Sequence, residues 1–112
     1  MTRNGITGLA HVMLGAADVD RTLQFYRDLL GIAVQARFED FAFLKTGATT
    51  LVLRSGVIPV ELVFNVDSVT AAYERLKPRV AFINEPRQVN EQNWAVNFND
   101  PDGHTLSLYG SH

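Results

Sequence analysis

The first apolar run, Leu9 to Leu14, is broken only by His11 and reads as a strand. Asp18 then offers an N-cap, and Val19, Leu23, Tyr26 and Leu30 follow at helical spacing, with Phe25 and Leu29 widening the stripe. Gly31 supplies a C-terminal stop, so the pattern predicts a helix over 19–30. Three strands are expected next, over 32–38, 41–45 and 49–54, separated by Glu39-Asp40 and by Thr46-Gly47-Ala48. Ser55-Gly56 and Pro59 then interrupt the pattern.

After the break the pattern starts again. Val60 to Val66 reads as a strand, and Asp67 or Ser68 can cap a helix whose apolar positions are Val69, Ala72, Tyr73 and Leu76. Pro78 ends that helix. Strands are expected at 80–83, 94–99 and 105–109, with a polar loop over 84–93 and a strong turn at Asp100-Pro101-Asp102-Gly103. The loop, from Glu85 onward, reads either as a flap or as an ordinary connection. The order is βαβββ followed by βαβββ: an α+β chain of two repeats, over about 6–55 and about 59–110, in a single domain of residues 1–112. The copies share pattern more than identity. Phe41-Ala42-Phe43 matches Trp94-Ala95-Val96, Gly47 matches Gly103 and Thr49 matches Thr105, which sets Leu51 opposite Ser107.

Alternation assigns faces, because successive strand side chains point to opposite sides. The apolar sets Leu62, Phe64, Val66 and Trp94, Val96, Phe98 and Leu106, Leu108 belong against the helices. That leaves Glu61, Asn97, Thr105, Ser107 and Tyr109 to line a cleft, with Ala42, Leu44, Leu51 and Leu53 as its apolar wall in the first repeat and His11 on a face with Leu9 and Met13. A few polar anchors beside an apolar wall suit a small organic molecule. Trp94 is expected in the core, His104 at the surface, and the terminal His112 carries no signal.

Composition narrows the options. At 112 residues there is room for one domain, and a domain this small buries little surface, which favours a homodimer. A net charge of −2 without a basic stripe argues against nucleic acid. The absence of cysteine excludes disulfide and thiolate chemistry. No apolar stretch approaches the roughly 18–20 residues that span a bilayer, and Met1 to Gly8 carries no signal-peptide core, so a cytoplasmic location is expected.

Three segments carry a resemblance. They are the His11 strand with its Asp-initiated helix containing Leu23-x-Phe25-Tyr26-Arg27-Asp28-x-Leu30-Gly31, the segment Glu61-Leu62-Val63-Phe64-Asn65-Val66-Asp67, and Asp100-Pro101-Asp102-Gly103-His104 before the last strand. Over nearly its whole length the chain resembles the vicinal oxygen chelate superfamily, of the glyoxalase, bleomycin-resistance and extradiol-dioxygenase kind. The resemblance implies a cupped mixed sheet of eight strands with helices outside, and homodimers among members this short. It also implies metal-ligand positions on the first and last strand of each repeat, which here are His11, Leu51, Glu61 and Ser107. His11 and Glu61 suit Mn²⁺, Ni²⁺, Fe²⁺ or Zn²⁺, but Leu51 cannot bind a metal and Ser107 replaces an expected carboxylate.

The expected function is therefore small-molecule binding without a complete catalytic metal site, with Glu61 as a candidate general base if its surroundings are apolar. The alternative is a metal-dependent lyase or isomerase of the glyoxalase type, or a dioxygenase, acting on a substrate with vicinal oxygens. A metabolite-sensing regulatory module remains a third class, which the residues do not separate from the first.

Overall fold

Asp18 accepts a hydrogen bond from the Arg21 N–H at 3.2 Å and so starts helix α1, Val19–Gln24, at the end of strand β1, Ile6–Ala16. The computed structural model describes residues 5–112, so Met1 to Asn4, part of the N-terminal segment expected to lack a signal core, lie outside the described residues. The helix expected over 19–30 is not uniform. From Phe25 to Leu29 the chain makes a π-helical turn, closed by the Leu30 N–H on the Phe25 carbonyl at 3.2 Å. A π turn takes more residues than an α turn, so side chains spaced for 3.6 residues rotate off the buried stripe. Val19 and Leu23 are buried and Tyr26 half-buried, whereas Leu30 and Phe25 are exposed and Leu29 is 75% exposed.

Strands β2 (Ala33–Arg37), β3 (Phe41–Thr46) and β4 (Thr49–Ser55) complete the first repeat. In the second, β5 (Glu61–Ser68) runs into α2 (Val69–Leu76), with the Ser68 hydroxyl accepting from the Ala71 N–H at 3.1 Å. The Ser68 hydroxyl also donates to the His112 carbonyl, and the His112 ring stacks on Trp94 at 4.1 Å, so the residue read as uninformative ties the helix start to the sheet. The strand expected at 80–83 does not form. Phe82 makes a single bridge to Phe98, its ring lodged between Tyr73 and Phe98, and the short strand β6 forms instead at Arg87–Gln88, inside the expected loop. Strands β7 (Trp94–Asn99) and β8 (Thr105–Ser111) finish the chain.

The strands form a mixed eight-stranded sheet with one helix per repeat, and the chain divides into two compact units. One holds the described residues up to Ala10 with Glu61–His112 and the other holds His11–Val60. Strand order is β1-β5-β8-β7-β6 in the first and β2-β3-β4-β1 in the second. In the first unit, α2 covers Val66, Val96 and Leu108, with Phe64, Trp94 and Phe98 around them, the face that alternation assigned to the helix. Gly110 lies beside Val66, and a Cβ there would collide with the Val66 carbonyl oxygen, so only glycine lets these parallel strands meet in this register.

In the other unit the assignment reverses. Ala42, Leu44 and Leu53 are buried under α1 with Leu51 beside them, so they form the core and not the cleft wall expected of them. The register gives the reason. Thr50 lies beside His11 on β1 as Thr105 lies beside Glu61 on β5, so Thr50 and Val52 are the counterparts of Thr105 and Ser107. Matching Thr49 to Thr105 by the turn glycines is one residue out, which exchanges the faces of β4 and, through the pairs Leu51–Leu44 and Leu53–Ala42, of β3.

Leu108 is fully buried under α2. Leu108→Ala should destabilise the fold by about 2–5 kcal/mol in urea unfolding, while Leu29→Ala, on the exposed π turn, should change stability by less than about 0.5 kcal/mol.

Candidate functional site

Three rows of side chains stand on the face of β5, β8 and β7 turned away from α2. Register places Glu61 beside Thr105 and Asn99, then Val63 beside Ser107 and Asn97, then Asn65 beside Tyr109 and Ala95. All five residues expected here from alternation, Glu61, Asn97, Thr105, Ser107 and Tyr109, thus share one face of one unit.

Hydrogen bonds link them. Asn84 Nδ2 donates to Asn97 Oδ1 at 2.9 Å, Asn97 Nδ2 donates to Ser107 Oγ at 3.0 Å, and Ser107 Oγ donates to Glu61 Oε2 at 3.2 Å. Ser107 is only 3% exposed, so both hydroxyl functions are satisfied where an unpaired one would be costly. Glu61 and Asn97 are half-buried. Tyr109 anchors a second group: its hydroxyl accepts from Asn93 Nδ2 at 2.9 Å and from Asn90 Nδ2 at 3.2 Å. Asn90 Oδ1 in turn accepts from the Gln92 and Asn93 N–H groups, and β6 pairs with β7. The polar stretch from Glu85 to Asn93 is therefore an anchored hairpin.

Sequence reasoning missed Asn84, which it placed in the polar loop. Its role depends on the Phe82–Phe98 bridge, which carries the chain alongside β7 and lets the Asn84 side chain accept from the Asn97 N–H at 2.9 Å, where a strand carbonyl would otherwise stand. A strand-like apolar run followed by asparagine is the only trace of this in the sequence.

His11 lies in the other unit. Its row there contains Thr50 and Lys45, and the next row on the same face contains Met13, Val52 and Phe43. Phe41 stacks near Phe43 at 6.2 Å and Phe38 meets Phe43 edge-on at 5.7 Å, so this face is apolar through its aromatics, in place of the leucines expected. Burial pushes the His11 imidazole below its ordinary value of 6.5, because desolvation disfavours the charged ring.

The four positions implied as metal ligands do not fit a divalent ion as a set. Leu51 has no donor atom and lies against the α1 core, and the residues sharing the face of His11 on that strand are Thr50 and Val52. Ser107 gives its proton to Glu61 and its lone pair to Asn97. Asp100, Asp102 and His104 do bring ligand atoms within 4.8 Å of one another. However, Asp100 Oδ1 accepts from the Asp102 and His104 N–H groups and Oδ2 meets His104 Nδ1 at 2.8 Å, which is the bonding of a closed turn. The His104 backbone and ring bonds hold the Asp100 carboxyl below its ordinary range. His104 itself is exposed, as expected.

This arrangement of two βαβββ repeats, with polar anchors on the bare face of the second, has relatives among known proteins. The model of the Glyoxalase/Bleomycin resistance protein/Dioxygenase superfamily matches residues 8–57 and 60–108, and the chain belongs to that superfamily. The glutathione transferase FosA of Serratia marcescens is 27% identical over 114 residues, covering 93% of this chain and 81% of the relative. Methylmalonyl-CoA epimerase from Mycobacterium tuberculosis superposes with a TM-score of 0.82 at 19% identity, over 100% of this chain and 93% of that one. An extradiol ring-cleaving dioxygenase from B. fuscum superposes with a TM-score of 0.76 at 21% identity, over 97% of this chain and 34% of the dioxygenase. The two structural likenesses establish the fold. Among the described residues no helix is long and apolar enough to cross a membrane.

The depressed His11 has a consequence for stability. The unfolded chain binds its proton first, so this contribution is complete above the ordinary 6.5 and is lost as pH falls from there toward the folded value. The melting temperature should fall as pH drops below the ordinary 6.5, and His11→Gln should flatten that slope. Equal slopes in the two proteins would remove His11 as the cause.

Proposed function

We propose that this chain binds a small organic molecule on the bare face of the β5–β8–β7 unit, without a divalent ion completing the site. The observation that carries this reading is Ser107. At the position where the resemblance implies a ligating carboxylate, a buried hydroxyl instead closes a hydrogen-bonded chain onto Glu61. Glu61, Asn97, Thr105, Ser107 and Tyr109 are the polar contacts. His11 is a candidate ligand contact within its own unit, where the aromatics of the bare face suit an apolar group. Glu61 is the group able to act as a general base should the ligand be transformed. The chain works as a single domain in the cytoplasm, and its small size supports a homodimer.

The 27% identity to a glutathione transferase favours a second reading, an enzyme; on the family resemblance it would be a metal-dependent lyase, isomerase or dioxygenase using His11 and Glu61. Titration with Mn²⁺, Ni²⁺, Fe²⁺ and Zn²⁺, read by elemental analysis and calorimetry, separates the two. We expect weak metal binding, unchanged in a His11→Ala, Glu61→Ala double variant. A thermal-shift screen of amphipathic organic molecules should give stabilising compounds whose affinity drops about tenfold or more in Glu61→Ala, the loss expected for a hydrogen bond to a charged group. Stoichiometric metal binding abolished in the double variant would replace this reading with the metal-dependent one.

A further inference from the structure

The chain of bonds from Asn84 to Glu61 has a direction. An asparagine amide presents oxygen and nitrogen of nearly equal size, so within a network it can face either way. Here one contact removes the freedom. The backbone N–H of Asn97 can only donate, and it lies 2.9 Å from Asn84 Oδ1. Asn84 Nδ2 must then donate to Asn97 Oδ1, Asn97 Nδ2 must donate to Ser107, and the single Ser107 proton is left for Glu61 Oε2. Each step runs from donor to acceptor and the series ends on a carboxylate.

The remaining groups on these rows reinforce that sense. Glu61 is the one charged residue that β5, β8 and β7 contribute to the three rows, and Asn99 turns its Nδ2 away to the Gly103 and His104 carbonyls, both at 3.3 Å. An incoming anion would meet the Glu61 carboxylate, while Arg87, the cation beside Ala95, stands two rows and three strands away on β6, and like charges brought together in a partly desolvated site are strongly disfavoured. A hydroxyl or ammonium meets an acceptor already held in place.

We infer that Asn84 is a positioning residue that fixes the polarity of this site, so that the ligand group seated at Glu61 is a hydrogen-bond donor, a hydroxyl or an ammonium, and not a carboxylate or phosphate. The ligand class rests on the binding role proposed above; the positioning role of Asn84 does not. Asn84→Asp tests the latter. Aspartate still accepts from the Asn97 N–H, and the Ile83 N–H still bonds to the Asn97 carbonyl at 2.9 Å, so the hairpin stays anchored. The donor to Asn97 Oδ1 is lost, however. The Asn97 amide turns over, the Ser107 proton turns to Asn97, and Glu61 loses its donor. Ser107→Ala removes the same donor directly.

The ¹³C resonance of the Glu61 side-chain carboxyl is to be compared in the intact chain, Asn84→Asp, Ser107→Ala and the double variant. We expect both single variants to move it the same way and the double variant to match Ser107→Ala, because both act through one bond. Additive shifts, which a charge acting through space would give, or no shift in Asn84→Asp, would overturn the positioning role. The ligand class is tested by titrating the Asn84 and Asn97 side-chain amide signals with 2-phenylethylamine, 2-phenylethanol and phenylacetate, which share a ring and differ at the end group. The amine and the alcohol should bind at least about tenfold more tightly than phenylacetate, and Glu61→Ala should remove the difference. Phenylacetate binding as well as the amine would overturn the donor assignment. Binding of none of the three would overturn the ligand-binding reading itself, and the carboxyl shifts would still decide the role of Asn84.

Discussion

In each unit the sheet has two faces and one helix, and strand register decides which residues the helix covers. A slip of one residue in a strand exchanges its whole set of side chains between faces. Here the pairing sets Thr50 beside His11 and Thr105 beside Glu61, so Val52 and Ser107 take the bare faces. With this register, Leu44 and Leu53 lie under α1 and Leu108 and Val96 under α2. The bare faces follow from this, and with them the location of every candidate contact.

The two bare faces differ in kind. In the β5–β8–β7 unit the face is polar and internally bonded, with Ser107 buried as the link between an amide chain and a carboxylate. Such a network is tolerable in a low-dielectric setting only when each member is satisfied, and satisfaction fixes its geometry. In the His11 unit the face is aromatic around Phe41 and Phe43, with Met13 and Val52. An apolar surface of this sort raises the cost of charging the imidazole, and the depressed His11 reflects that cost.

Departures from regular structure are found where local sequence competes with packing. The π turn at Phe25–Leu29 leaves Phe25, Leu29 and Leu30 exposed although their spacing fits a buried stripe. Phe82 satisfies its apolar character by ring packing against Tyr73 and Phe98 and not by strand pairing, which frees the next residues to present the Asn84 side chain to β7. The turn from Asp100 to His104 bonds its own acidic and imidazole groups, so a cluster of ligand types there is accounted for by the turn.

Much of this was legible in the sequence. The two βαβββ repeats, the capping Asp18 and Ser68, and the shared face of Glu61, Asn97, Thr105, Ser107 and Tyr109 all follow from local periodicity, because alternation within a strand is a property of the backbone alone. What periodicity does not contain is the pairing between strands. Whether Leu51 or Val52 faces the helix depends on which residues of β3 and β4 align across a turn, and that is settled only when the sheet forms. The same holds for Asn84. Its donor and acceptor are visible in the sequence as a side chain in a polar loop. Their direction is decided by a single backbone N–H of Asn97, brought within 2.9 Å by tertiary contact thirteen positions along the chain.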